Sequence, residues 1–231
     1  MKLTICGIPV EVCRKDVKIM RLYVKPPGGS GGDASVIVSA PLTMSSAAIE
    51  NFVREKTDWI KSHLEKFENQ VRGEKRKYAS GETFYVWGEQ YILQTSYGKK
   101  RSLVIKDGKA LLTVRKENTA AQREKFVREW YRKLLKIEAA RVLPIWEEKT
   151  GLKSESYQVK YMISRWGSCK VKAKKISLSL LLAQKAPQCL EYVILHELLH
   201  FIEKRHNQRF KNLLGKFMPK WREVKKELNR V

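Results

Sequence analysis

The chain has 231 residues, 43% of them hydrophobic and 10% aromatic, which supplies a buried core and excludes a disordered or fibrous protein. Its 47 Lys and Arg oppose 24 Asp and Glu, for a formal charge of +23. That excess draws anions from a distance, so nucleic acid, nucleotides and acidic proteins are candidate partners, unless the charge only maintains solubility.

At the N-terminus a short apolar stretch is interrupted by Pro9 and Glu11, with no cleavage-site pattern behind it, so it does not read as a secretory signal. The uncharged segment from Ala34 to Ile49 contains Pro41 and is too short to span a bilayer, so no membrane partner is expected. Cys6, Cys13, Cys169 and Cys189 are few and scattered, as free thiols are in a reducing compartment; the expected location is cytoplasmic. Residues 17–24 alternate in polarity as a strand, the Gly-rich run 26–33 reads as a hairpin loop, and Ser35 to Ser39 resumes as β. Ser45 or Ser46 then caps one amphipathic helix, with Ile49, Phe52, Val53, Trp59, Ile60 and Leu64 on its apolar stripe. His63 shares that stripe, which suits a packed histidine better than a ligand.

From Thr83 to Val114 the pattern returns to strands, and Asp107-Gly108 signals a hairpin turn. Thr119-Ala120-Ala121-Gln122 is a capping box that opens a long helix. Phe126, Trp130, Leu134 and Ile137 mark its expected buried face, and Pro144 its expected end. A strand-like stretch, Tyr157 to Ile163, leads to Arg165-Trp166-Gly167-Ser168-Cys169; an apolar run to Leu182 follows, and Pro187 starts a further helix. No internal repeat stands out. The expected fold is α+β, with a strand-rich region over 1–117 and a zincin-like, mainly helical catalytic region over 118–231.

Residues 196–200 read His-Glu-Leu-Leu-His. Positions four apart on a helix share a face, so His196 and His200 can offer two imidazoles to one ion, while Glu197 reaches the edge of the site and can take a proton from water. A catalytic ion of this kind needs a third protein ligand and an open position, and His206 is the candidate. Six residues beyond His200 is out of helical register, so the helix must end or bend near Lys204-Arg205. Zinc, one ion per chain, suits this nitrogen-rich set, though other divalent metals compete for such sites. The plainer alternative is a purely structural histidine cluster, but three of the chain's four histidines fall within this segment and Glu197 would then have no role.

Together, Arg165-Trp166-Gly167-Ser168-Cys169, the run from Tyr192 to His200, His206, Phe210 and Met218-Pro219 resemble the YgjP-like (domain of unknown function 45) metal-dependent hydrolases, relatives of the SprT-like and WLM zinc metallopeptidases. The resemblance extends upstream to Tyr85-Val86-Trp87-Gly88 and Trp59-Ile60. It implies His196, His200 and His206 as metal ligands, Glu197 as catalytic acid and base, and Trp166 to Cys169 close to the active site. Whether that segment, with Ser168, lines a substrate groove or whether Trp166 fills the core and Gly167 permits close packing stays open. Arg165 and Arg209 are candidates, by proximity in sequence alone, for steadying negative charge on a substrate.

Three functions follow. The first is a zinc metallopeptidase acting on peptide or protein. A second keeps the metal and hydrolyses nucleotide phosphoanhydrides, which the basic flanks of the site suit. A third is a nucleic-acid-associated, SprT-like peptidase that binds through its basic surface.

Overall fold

The computed structural model describes residues 1–25, 34–72 and 76–230, so the expected Gly-rich hairpin over 26–33 lies outside the described residues. Two compact units divide between Lys75 and Arg76, and the change from strand-rich to helical regions expected at 117/118 falls inside the second. The reason is packing: the strands over 83–114 bury their apolar face against the long helix that follows them and share its core.

The first unit contains β1 (Lys2–Ile5), β2 (Ile8–Lys15), β3 (Arg21–Lys25), β4 (Ser35–Pro41), α1 (Ser46–Glu55) and α2 (Thr57–Arg72). Its sheet runs β1-β2-β4-β3, with β2 and β4 parallel and the outer pairs antiparallel. Ile8, Val10 and Val12 alternate inward along β2 and meet Ile49, Val53 and Ile60 in a core of their own. Ser45 is the cap, its side chain accepting from the Ala48 N–H at 3.2 Å. The single helix expected here is two, because the Thr57 hydroxyl donates to the Val53 carbonyl at 3.2 Å and Lys56 leaves helical geometry.

The second unit opens with β5 (Thr83–Val86), β6 (Glu89–Tyr97), β7 (Ser102–Lys106) and β8 (Lys109–Val114), followed by α3 (Ala120–Thr150). The sheet order is β5-β6-β8-β7, again with the central pair parallel and the outer pairs antiparallel. This repeats the first unit's topology, so a repeat is present where the sequence showed none. One short match survives: Phe52-Val53-Arg54-Glu55 and Phe126-Val127-Arg128-Glu129 stand at the same distance from their caps, Ser45 and Thr119.

The capping box at Thr119 forms as expected. The helix continues through Pro144 to a left-handed Gly151, because buried Val142, Leu143 and Trp146 clamp it on both sides of a proline that faces solvent. Its buried face is Val127, Tyr131, Leu135 and Ala139, one residue round from the expected stripe; Phe126, Trp130 and Leu134 are half-buried and Ile137 is exposed. Tyr131 stacks on Phe84 at 5.2 Å and donates to the Tyr85 carbonyl at 2.7 Å, fastening helix to sheet.

A second sheet, β10-β11-β9, consists of β9 (Ser156–Lys160), β10 (Gly167–Lys170) and β11 (Lys175–Ser179). A 3₁₀ turn over Leu180–Gln184 ends the expected apolar run, and the Trp87 N–H donates to its Ala183 carbonyl at 2.9 Å. Then come α4 (Pro187–Leu199), α5 (Gln208–Phe217) and α6 (Trp221–Leu228). α4 is buried on nearly every side, the pattern of a central core helix. The fold is α+β, with strands early and helices late. Among the described residues, no helix is long and apolar enough to cross a membrane.

Candidate active site

α4 begins with Pro187 at its first turn and carries His196 and Glu197 one turn before its end. It stops at Leu199, with His200 as its C-cap, earlier than the Lys204-Arg205 bend expected from register. Bonds from Phe201 N to Leu198 O and from Ile202 N to Leu199 O tighten the last turn, and no residue from 200 to 207 adopts positive φ. The chain therefore reverses without glycine. Asn207 then caps α5, its side chain accepting from the Phe210 N–H at 3.0 Å, and so fixes the residue beside His206.

Three imidazoles converge as a result. The His196 Nε2 lies 3.2 Å from His200 Nε2 and 2.9 Å from His206 Nε2, close to the spacing of about 3.3 Å for nitrogens sharing one tetrahedral ion. The Phe210 ring backs all three, at 4.9, 4.8 and 5.0 Å between centroids. The Glu203 carbonyl sits 3.0 Å from His200 Nδ1 and takes its proton there, which leaves Nε2 free to ligate. This donor set fits a divalent metal ion: three imidazole nitrogens within 4.8 Å of one another. Burial, then His200, His206 and Lys225, lowers the His196 pKa to about 3, so the imidazole is neutral and ready to ligate. Burial, then His200 and Lys225, also lowers that of His206.

Glu197 is 5% exposed, and among the described residues its Oε2 has no hydrogen-bond partner. Burial pushes its carboxyl up to about 7 against the opposing pull of Arg165 and the Cys169 thiol. A carboxyl with that value exchanges protons at neutral pH. The Cys169 thiol, pushed up to about 11 by burial and by Glu197, stays protonated beside it.

What seats Glu197 is Gly167. A Cβ at 167 would fall 2.6 Å from Glu197 Oε1, 2.7 Å from Val193 Cγ1 and 2.9 Å from Glu197 Cγ. β10 thus lies directly on α4, and glycine is the residue that allows it. β10 is also an edge strand. Ser179 N donates to Trp166 O at 2.8 Å, so by alternation the backbone groups of Gly167 and Cys169 point away from β11.

The other candidates scatter. Arg165 acts on Glu197 from an exposed position. Trp166 packs against the core and donates from Nε1 to Asn229 Oδ1 at 3.3 Å. Ser168 points to the opposite sheet face from Gly167 and Cys169. Arg209 reaches Glu203 at 3.9 Å and is drawn to the loop after α4. Lys225 on α6 acts on two of the histidines, a neighbour that 19 residues of separation from His206 hide in the sequence. The four cysteines are all free thiols.

The YgjP-like, metallopeptidase domain family matches residues 21–231. The chain belongs to that family. Membership makes it a metal-dependent hydrolase of the peptidase type, and both compact units fall largely within the matched span. No curated protein matches it. Among solved structures, the metallopeptidase zymogen abylysin of Pyrococcus abyssi is 16% identical, with a TM-score of 0.36, over 38% of this chain and 89% of that one. The metallopeptidase zymogen jannalysin of Methanocaldococcus jannaschii is 23% identical, also with a TM-score of 0.36, over 39% and 87%.

Proposed function

We propose that this family member is a zinc-dependent peptidase in which His196, His200 and His206 hold the ion and Glu197 is the general base. The observation that carries the reading is the buried, unpaired Glu197 Oε2 next along α4 from the three converging imidazoles. Zinc held by these three histidines would supply Lewis-acid chemistry, lowering the pKa of a bound water and polarising a carbonyl. Glu197 accepts the proton of the attacking water and returns it to the nitrogen of the leaving amine as the C–N bond breaks. The outward backbone groups of Gly167 and Cys169 suit an extended peptide laid along β10, with its carbonyl presented to the site. Arg165 steadies the charge that develops on the carbonyl oxygen.

Arg165 acting on Glu197 and Lys225 acting on the histidines also favour a second reading, phosphoanhydride hydrolysis of nucleotides. The basic surface could further hold nucleic acid as an accessory partner. One experiment separates the chemistries. Wild type and Glu197→Gln, each with its metal content measured, are incubated with unfolded protein and nucleoside triphosphates, and products are read by mass spectrometry. New peptides from the wild type alone are the expected result. Nucleoside mono- or diphosphates without peptides would transfer the site to the second reading, and equal products from both proteins would remove Glu197 from the mechanism.

A further inference from the structure

α3 carries two apolar stripes, and only one is covered. Val127, Tyr131 and Leu135 are buried, while Phe126, Trp130 and Leu134 are half-buried and Ile137 is 72% exposed. Beside the second stripe lies a groove of about 700 Å³ between the start of β7 and the first turns of α3. Phe126 and Trp130 line it together with three cations, Arg101, Lys125 and Lys133. Its single carboxylate, Glu129, is paired with Arg132, so its charge is already met. Among the described residues, none of the three cations has an ion-pair partner. Arg101 instead lies over the Phe126 ring, 5.3 Å from its centroid.

The strand bordering the groove is unpaired on its outer side. β7 ends the sheet order, and the turn that follows has positive φ at both Asp107 and Gly108, the two-residue turn that makes Lys106 and Lys109 a hydrogen-bonded pair. By alternation, Val104 and Ser102 also bond to β8, while the N–H and C=O groups of Leu103 and Ile105 point outward. Among the described residues, no turn or loop bond reaches either residue. The repeated unit, whose β3 is likewise an edge strand, differs at this place. Leu22 pairs with Val38 as Leu103 pairs with Leu112, which makes Met20 the equivalent of Arg101, and Met20 packs against the core of its own unit.

We infer that β7 and this groove form a docking site, separate from the histidine centre, for an extended polypeptide strand whose groove-facing side chains, every second residue, include both acidic and apolar ones. Outward amide and carbonyl groups match an added strand, the half-exposed aromatic stripe takes its apolar side chains, and the three cations take its carboxylates. Nucleic acid would use the cations and aromatics but leave the strand's hydrogen-bonding groups unmet.

The test uses the Glu197→Gln chain, which leaves the groove intact, with a fluorescein-labelled peptide of repeated Glu-Ser-Val-Ser, which puts both Glu and Val on the groove-facing side. Anisotropy should give an affinity that falls at least tenfold in a Lys125→Glu/Lys133→Glu variant and is unchanged in a Lys170→Glu/Lys172→Glu control on the β10 hairpin. Hydrogen exchange should slow at Leu103 and Ile105 when the peptide binds. Equal binding by all three proteins, loss confined to the β10 control, no protection on β7, or a labelled oligothymidine that occupies the groove while the peptide does not, would each overturn the proposal.

Discussion

An alanine methyl at 167 would overlap one oxygen of Glu197 and the Val193 side chain at once, and neither can retreat far, since both belong to the buried helix α4. The Gly167→Ala protein should still bind one metal ion, because the atoms nearest the added methyl belong to Glu197 and Val193 and not to a histidine. Its kcat should fall about 100-fold or more as Glu197 is displaced, with KM nearly unchanged. Metal content by atomic absorption and steady-state kinetics on the same sample check this, and a variant with full kcat would show that Glu197 tolerates the shift. The His-Glu-Leu-Leu-His spacing made the histidine cluster and the carboxylate beside it readable from the chain alone. Gly167 read ambiguously because a glycine leaves no side-chain signal; only the distance across to Glu197 reveals what its missing Cβ makes room for.

Helix ends, more than helices, determine where the third histidine stands. His206 follows a turn that uses no left-handed residue, and the cap bond from Asn207 to Phe210 N starts α5 directly after it. Asn207→Ala should cost about 1 kcal/mol of stability. It should also weaken metal binding, by about tenfold, because His206 and the backing Phe210 ring lose their common anchor. Thermal unfolding and competition with a chromophoric chelator give the two values; a stability loss with unchanged metal affinity would separate the cap from the site. Several elements departed from sequence expectation at this scale for identifiable reasons. Thr57 diverts a carbonyl and splits the first helix, while Pro144 fails to end the second because apolar anchors flank it. The shift of the α3 face by one residue follows from two adjacent apolar stripes on one helix, which periodicity cannot rank.

Stability of the metal-free chain carries the cost of the same buried carboxylate. With a folded value of about 7 against 4.5 for the exposed group, Glu197 favours folding while protonated; that contribution is present below about pH 4.5 and is lost as pH rises through 7. Metal-free Glu197→Gln should therefore match the wild type near pH 4.5 and exceed it by about 1–3 kcal/mol above pH 7.5. Denaturant titrations across that range test it, and a constant difference would place the carboxyl in a more solvated setting. The α+β class and the strand-to-helix order were legible from hydrophobic pattern, whereas the unit boundary was not, because it depends on which core the strands over 83–114 join. The doubled four-strand topology has a consequence for biogenesis. Two like modules in one chain can exchange strands while both are incompletely folded, a characteristic hazard of repeat proteins. Divergence to little more than one shared Phe-Val-Arg-Glu, with a plain serine cap in one copy and a capping box in the other, makes each module's own strands the better partners as the chain leaves the ribosome.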